Sequence, residues 1–133
     1  MMRSDIAGLL RSQGIHPSAQ RVAVGAYVLR TEAHPSADEV YARVRRKFPM
    51  ISRATVYNTL HLFERKGLLV ALNIAEGRVI FDPKTDRHHH FVDETSGRIY
   101  DLPWEALRVQ NVEGLRGYRV KNYQVVLRGR KLG

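Results

Sequence analysis

Four segments in the first half of the chain carry apolar residues at the three- and four-residue spacing of amphipathic helices. They cover residues 4–13, 18–29, 36–48 and 53–66. Ser18, Ser36 and Ser52 stand at N-cap positions, and Ser36 with Glu39 forms a capping-box pattern. Two β-like runs follow, at 68–74 and 78–81, joined by Ala75-Glu76-Gly77. Helices followed by such a hairpin predict a winged helix-turn-helix domain.

The fourth predicted helix has two different faces. Its apolar stripe is Val56, Leu60 and Phe63, and Gly67 follows at a common position for ending a helix. The opposite face carries Arg53, Tyr57 and His61 at steps of four, with Asn58 beside them. These polar and aromatic side chains are suited to binding phosphates and reading base edges. An ordinary solvated face, which would more often carry Glu and Lys, is the alternative.

Short β-like runs replace long helices after residue 81. Residues 87–92 and 98–100 flank a turn-forming segment, residues 102–108 predict a short helix, and 118–127 alternate as a strand. The fold class is therefore α+β, with a winged-helix DNA-binding domain at 1–81. A small dimerisation and metal-binding domain with a three-stranded antiparallel sheet follows at 82–133. About fifty residues bury little apolar surface, which favours a homodimer through this domain. The basic tail 128–131 is predicted to be disordered.

Three adjacent histidines precede the predicted turn. Because side chains alternate along a strand, His88 and His90 share one face and His89 points to the other. A turn centred near Glu94-Thr95 would place His88 opposite Asp101. Two imidazoles and a carboxylate then converge, which suits a borderline divalent metal such as Fe(II), Mn(II) or Zn(II). The alternative is a solvated polar strand end.

Composition narrows the possible functions. The net charge of +9 and the pI of about 10.4 favour a polyanionic partner, with nucleic acid ahead of an anionic membrane. No apolar run approaches the roughly 18–20 residues that span a bilayer, and no signal peptide opens the chain, so we expect a cytoplasmic protein without membrane association. The absence of cysteine excludes disulfides, thiolate metal sites and cysteine nucleophiles.

Two other classes of function compete with a metal-gated DNA-binding protein. A metallohydrolase could use His88, His90 and Asp82, but the chain contains no His-Glu-x-x-His helix, so we do not expect an enzyme. A winged-helix protein with no metal dependence would leave the histidines merely polar. Substitution of His88 by alanine separates this class from the first, because it would leave DNA affinity unaltered.

Several motifs occur in a fixed order over nearly the whole chain. They are Ser18-Ala19-Gln20-Arg21, His34-Pro35-Ser36-Ala37-Asp38-Glu39-Val40-Tyr41, Ala54-Thr55-Val56-Tyr57-Asn58-Thr59-Leu60, Gly67-Leu68-Leu69, and the histidine strand with the strand from Gly97 to Asp101. Together they resemble the ferric uptake regulator (Fur) family of metal-dependent bacterial repressors. The spacing is most similar to the peroxide-sensing (PerR) branch, because aspartate stands at Asp82 and Asp101, where iron- and zinc-responsive relatives tend to carry glutamate.

The resemblance implies a regulatory metal and a sensing reaction. The metal would be Fe(II) or Mn(II), with Zn(II) able to bind in vitro, held by His34, Asp82, His88, His90 and Asp101. Peroxide would oxidise a ligand imidazole, at His34 or His88, and thereby release metal and DNA. The ligands would come from both domains, so that metal binding sets the spacing of two DNA-reading helices across the dimer.

Six residues of the predicted winged-helix domain are candidates for contacts with DNA. The DNA-binding residues would be Arg21, Arg53, Thr55, Tyr57, Asn58 and His61. Asparagine prefers adenine and tyrosine packs on a thymine methyl, so Tyr57 and Asn58 favour an A·T-rich palindromic operator in double-stranded DNA.

Two departures from the family pattern bear on function. Asp93 and Ser96 stand where relatives carry a Cys-x-x-Cys pair, so a structural zinc held by four cysteine thiolates cannot be present. His61 stands where peroxide-sensing relatives tend to carry arginine. A cysteine-free, haem-responsive (Irr) branch shares the His-His-His-Phe run, so a haem- or iron-responsive regulator is the alternative. A second metal site using His89 with Glu105 also stays open, and Trp104 is expected to serve packing rather than haem stacking.

Overall fold

The computed structural model describes residues 3–75 and 77–133, with side chains described for 5–74 and 77–133. Glu76, in the predicted wing turn, lies outside the described residues. The chain divides into two compact units after residue 85. No helix in the described part of the chain is long and apolar enough to cross a membrane.

The first unit consists of four helices and a β-hairpin, in the predicted order. Its elements are α1 (Arg3–Ser12), α2 (Ala19–Val28), α3 (Ala37–Val44), α4 (Arg53–Arg65), β1 (Val70–Ala75) and β2 (Arg78–Asp82). The predicted N-caps are confirmed, because each serine side chain accepts a backbone N–H three residues on: Ser18 from Arg21, Ser36 from Glu39 and Ser52 from Thr55. The Ser36–Glu39 capping box is present in both directions.

One helix ends earlier than its apolar pattern predicted. Helix α3 ends at Val44 rather than near Pro49. The backbone N–H groups of Lys47 and Phe48 both donate to the Val44 carbonyl, at 3.1 and 3.0 Å, so a turn over residues 45–47 follows the helix.

The core of the first unit explains which face of α4 is displayed. Val56, Leu60 and Phe63 are fully buried, as their spacing predicted. Full burial of such a side chain contributes about 1.5–3 kcal/mol, which fixes the rotation of the helix about its axis. The face that carries the polar and aromatic stripe is thereby turned outward.

The hairpin of the first unit positions Asp82. Strands β1 and β2 pair antiparallel, with Val70 opposite Asp82 and a bulge near Asn73. Asp82 is thus the last residue of β2, within the first unit. The Phe81 N–H donates to the Pro35 carbonyl at 2.8 Å, which lays the segment preceding α3 along this strand.

The second unit contains a three-stranded sheet in the order β4-β3-β5. Its elements are β3 (His88–Asp93), β4 (Ile99–Pro103), a 3₁₀ turn (Trp104–Ala106) and β5 (Val126–Gly129). Strands β3 and β4 pair antiparallel, but β3 and β5 pair parallel, so the predicted all-antiparallel sheet is wrong. A parallel pair needs a crossover of about a dozen residues or more, and residues 94–125, which include β4, provide it.

Other predictions for this unit also need correction. The strand expected over 118–127 is confined to Val126–Gly129, so part of the tail expected to be disordered is in β5. The Glu94 N–H donates to the Gly129 carbonyl at 2.8 Å, which secures the end of that strand. The short helix expected over 102–108 is only the 3₁₀ turn, because Leu102 and Pro103 still pair with β3.

The register of the histidine hairpin differs from the prediction by two residues. His90 pairs with Asp101, whereas we expected His88 in that position. The turn is centred later because the Asp93 carboxylate accepts the Thr95 N–H at 3.1 Å and the Ser96 hydroxyl at 2.8 Å. The Ser96 hydroxyl and neighbouring amides also lower the pKa of Asp93. A shift of two residues leaves every side chain on its predicted face, whereas a shift of one would invert them.

Candidate metal site and nucleic-acid interface

Three potential metal ligands converge on one face of the second unit. His88 and His90 project from the same side of β3, with ring centroids 4.5 Å apart. The Nε2 atoms of His88 and His90 lie 3.3 and 3.5 Å from Oδ1 of Asp101. Both histidines are buried, and the Asp101 side chain is 28% exposed.

These distances suit ligands of a shared ion. Two donor atoms about 2.1 Å from one metal, at an angle of about 90–110°, lie roughly 3.0–3.4 Å apart. The observed separations of 3.3 and 3.5 Å are close to that range. The nitrogen and oxygen donors are those that Fe(II), Mn(II) and Zn(II) accept.

The other nitrogen of each ring is held by a neighbour. His88 Nδ1 lies 2.7 Å from the Asp86 carbonyl oxygen, which can only accept, so Nδ1–H donates. His90 Nδ1 donates in the same way to Oε1 of Gln124, at 3.0 Å. In the neutral rings, Nε2 is then an acceptor that faces another acceptor, the Asp101 carboxylate. A metal ion bound there would make that arrangement favourable. Acceptors such as the Asp86 carbonyl and the Gln124 amide oxygen are the partners that orient metal-binding imidazoles.

Gln124 was not predicted from the sequence. It lies 34 residues after His90, in a segment without regular secondary structure, and no motif marks it. Only the parallel docking of β5 beside β3 brings it to the ring.

A second pair of candidate ligands lies in the first unit. His34 Nε2 is 3.3 Å from Oδ2 of Asp82, and both side chains are almost fully buried. His34 has φ of +51°, a left-handed conformation that costs a non-glycine residue about 1–2 kcal/mol. Strain of this kind is concentrated at functional sites. It persists here because the next residue, Pro35, is hydrogen-bonded to β2.

His89 points to the opposite side of β3, as predicted. Its Nδ1 accepts the Val125 N–H at 2.9 Å, and its ring stacks on Trp104 with centroids 4.6 Å apart. The Tyr123 ring also contacts Trp104, with centroids 4.9 Å apart. These contacts give His89 and Trp104 packing roles in the second unit and offer no support for a second metal site with Glu105.

Helix α4 presents the predicted nucleic-acid face, but two of its residues are engaged within the protein. Arg53 Nη1 is paired with Oδ1 of Asp38, in the first turn of α3. The Tyr57 hydroxyl donates to the same oxygen at 2.6 Å. That hydrogen bond raises the pKa of the Tyr57 phenol above its ordinary value. The sequence pattern of α4 gave no sign of this contact.

The other predicted DNA contacts are Arg21, Thr55, Asn58 and His61. Asn58 and His61 are exposed on α4. Thr55 is half-buried and accepts the Ser52 hydroxyl at 2.8 Å. The Arg21 guanidinium donates to the His16 carbonyl at 3.1 Å, near the start of α2.

Comparisons with known proteins agree on one family. The model of the ferric uptake regulator family matches residues 12–128. The peroxide operon regulator of Bacillus subtilis (strain 168) is 34% identical over 124 residues, which cover 90% of this chain and 84% of that protein. The peroxide-responsive repressor PerR of Staphylococcus epidermidis is 37% identical over 98 residues, which cover 74% of this chain and 65% of the repressor's length.

A solved structure agrees with the same fold. The ferric uptake regulator from Pseudomonas aeruginosa with manganese is 27% identical, with a TM-score of 0.71 and coverage of 98% of both chains.

Proposed function

Because the chain belongs to the ferric uptake regulator family, we propose that it is a metal-dependent, DNA-binding transcriptional repressor that responds to peroxide. The observation that carries this proposal is the convergence of two imidazoles and the Asp101 carboxylate at ligand spacing, in a chain that matches that family. The peroxide-regulator names of the Bacillus and Staphylococcus relatives favour the peroxide-sensing branch over the iron- or haem-responsive alternatives. A repressor of this kind binds DNA in the cytoplasm and has no substrate to turn over.

Five side chains would hold the regulatory metal. They are His34, Asp82, His88, His90 and Asp101. Nitrogen and oxygen donors suit Fe(II) or Mn(II), and the Pseudomonas relative was solved with manganese. Zn(II) would compete in vitro, since it stands above both in the general affinity order. A bound Fe(II) would activate peroxide for cleavage of its O–O bond. One oxygen atom would then replace a C–H hydrogen of an imidazole, with His34 and His88 as the proposed sites, and the other would leave as water.

The arrangement of the ligands gives metal binding a regulatory consequence. His34 and Asp82 offer two donors, and His88, His90 and Asp101 offer three, so neither set completes an octahedral coordination alone. A ligand shifts a conformational equilibrium only by its differential affinity for the two states. We infer that the metal stabilises the DNA-binding state because only that state presents both sets.

Dimerisation would occur through the second unit. Among the described residues, six large apolar side chains of this small unit are exposed to solvent: Val109, Leu115, Tyr118, Val120, Leu127 and Leu132. Monomers rarely leave so much apolar surface uncovered, which supports a homodimer. A twofold dimer would match an operator with two inverted half-sites.

The DNA contacts in this proposal are Arg21, Arg53, Thr55, Tyr57, Asn58 and His61. Tyr57 and Asn58 would read an A·T-rich sequence, while Arg21 and Arg53 would contact phosphates.

Selection from a random pool of DNA duplexes tests the proposed function. With Mn(II)-loaded protein, we expect enrichment of an A·T-rich inverted repeat, bound about 10³-fold or more tightly than unselected duplex. The same protein treated with a chelator is the control and should enrich nothing. Enrichment that is independent of metal would favour the metal-independent class, and no enrichment in either state would refute DNA reading.

Gln124 provides a separate test of the metal proposal. Replacement by leucine should lower Mn(II) affinity about 10–100-fold, because it removes the acceptor that fixes the His90 ring. Gln124→Glu retains an acceptor oxygen and should restore binding. Calorimetric titration with Mn(II) measures the affinity of each variant. Gln110→Leu, at an exposed position of the same segment, is the matched control. Equal affinities for the two leucine variants would contradict an orienting role.

A further inference from the structure

The carboxylate of Asp38 joins two residues of the proposed DNA-reading helix. Its Oδ1 accepts from both Arg53 Nη1 and the Tyr57 hydroxyl. The Arg53 guanidinium also lies 4.7 Å above the Tyr41 ring, so these contacts link four side chains: Asp38, Tyr41, Arg53 and Tyr57. The pair is nevertheless open to solvent, with side chains 58% and 67% exposed for Arg53 and Asp38.

We propose that Asp38 is a specificity-determining residue of the DNA-reading face. Its negative charge weakens binding to every duplex, and its hydrogen bond orients Tyr57 for the operator alone. This inference rests on the proposed function and adds a residue that makes no favourable contact with DNA itself.

The negative charge of Asp38 lowers affinity for DNA of any sequence. A duplex carries one negative charge per about 1.7 Å of its axis, so phosphates that reach Arg53 also approach Asp38. The phosphate must displace the carboxylate from the guanidinium. Exposed ion pairs contribute little to stability, so the displacement is easy, but the repelling charge remains. Asp38 therefore lowers affinity for operator and non-operator DNA alike.

The hydrogen bond from Tyr57 to Asp38 affects binding only to DNA whose bases match the operator. The phenol held by Asp38 gives the Tyr57 ring a fixed position before DNA arrives, which reduces the ordering cost of binding. A tyrosine ring in the major groove makes a favourable apolar contact with a thymine methyl at the correct position. At other sequences it makes no such contact. Orientation of Tyr57 therefore strengthens operator binding and leaves non-specific binding unchanged.

Two substitutions separate these effects. Asp38→Asn removes the charge but keeps an acceptor oxygen for Tyr57, whereas Asp38→Ala removes both. The full chain, loaded with Mn(II), is titrated against a duplex selected by the wild-type protein and against a G·C-rich duplex of equal length. Fluorescence anisotropy at several salt concentrations gives both affinities.

We expect both variants to bind the G·C-rich duplex about threefold to tenfold more tightly, because a phosphate no longer competes with a carboxylate. Asp38→Asn should keep the ratio of operator to G·C-rich affinity. Asp38→Ala should lower that ratio roughly fivefold, as expected for a weakened contact to one base edge. Tyr57→Phe should lower the ratio in the wild-type background and have no further effect beside Asp38→Ala.

The controls make the inference falsifiable. Glu94→Gln and Glu94→Ala make the same changes of charge at an exposed turn of the second unit. Because salt screens exposed charges, they should leave G·C-rich binding within about twofold of wild type. Equal ratios for Asp38→Asn and Asp38→Ala would overturn the orienting role, and tightening by the Glu94 variants would overturn the local charge effect. If the wild-type protein selects no duplex, the proposed function itself fails.

Discussion

Replacement of His90 by alanine is expected to abolish metal-dependent DNA binding. The change removes the buried His90 Nε2, a proposed metal-ligand atom 3.5 Å from the Asp101 carboxylate, and leaves Gln124 without its partner. Substitution of partners that only orient a ligand typically costs 10–100-fold in metal affinity, so loss of a ligand should cost at least about 100-fold. Titration with Mn(II), followed by electron paramagnetic resonance, measures the affinity directly. Operator binding by fluorescence anisotropy should fall to the level of the chelator-treated wild type.

His16→Ala is the matched control. His16 is an exposed loop histidine whose backbone carbonyl, not its ring, makes the contact with Arg21. The His16→Ala protein should bind metal and operator as the wild type does. Thermal melting of the metal-free proteins shows whether His90→Ala retains its fold. A folded His90→Ala protein with wild-type operator affinity, with or without metal, would establish the metal-independent winged-helix alternative.

The features that the sequence predicted correctly are governed by neighbouring residues. The Ser36–Glu39 capping box needs contacts only three residues apart, and the buried stripe of α4 needs only helical periodicity. The alternation of His88, His89 and His90 is likewise a property of any strand. Each of these predictions holds because local geometry leaves the chain few alternatives.

The features that the sequence did not predict depend on distant residues. The parallel placement of β5 follows from a long irregular connection, and no local pattern distinguishes it from an antiparallel return. Gln124 reaches His90 only through that placement. The register of the histidine hairpin was set by side-chain hydrogen bonds of Asp93, which periodicity does not capture.

The proposed metal ligands lie between these two cases. The pairing of His88 and His90 with Asp101 could be anticipated from alternation, since an error of two residues in register keeps the face. The left-handed backbone of His34 could not be anticipated, because it depends on the hydrogen bond between Pro35 and β2. Asp38 likewise becomes a functional candidate only when α3 and α4 are packed together.

Peroxide is expected to release the Fe(II)-loaded protein from its operator and to leave the Mn(II)-loaded protein bound. Fe(II) in nitrogen and oxygen ligands can reduce peroxide, and the proposed oxidation sites are ligand imidazoles. An imidazole that gains oxygen is a poorer donor, so the metal and then the DNA should dissociate. Anisotropy before and after a brief exposure to peroxide measures release. Peptide mass spectrometry should find one added oxygen atom at His34 or His88.

Met50 provides an internal control in the same digest. Its side chain is 89% exposed, so peroxide should convert it to the sulfoxide whichever metal is bound. Release that follows Met50 oxidation in both metal forms would assign the response to that methionine instead. Release confined to the iron form, with oxygen on a ligand histidine, would establish the histidine as the sensing group. If neither form is released and no histidine is modified, the peroxide assignment is wrong, and titration with haem then decides between the haem-responsive and iron-responsive alternatives.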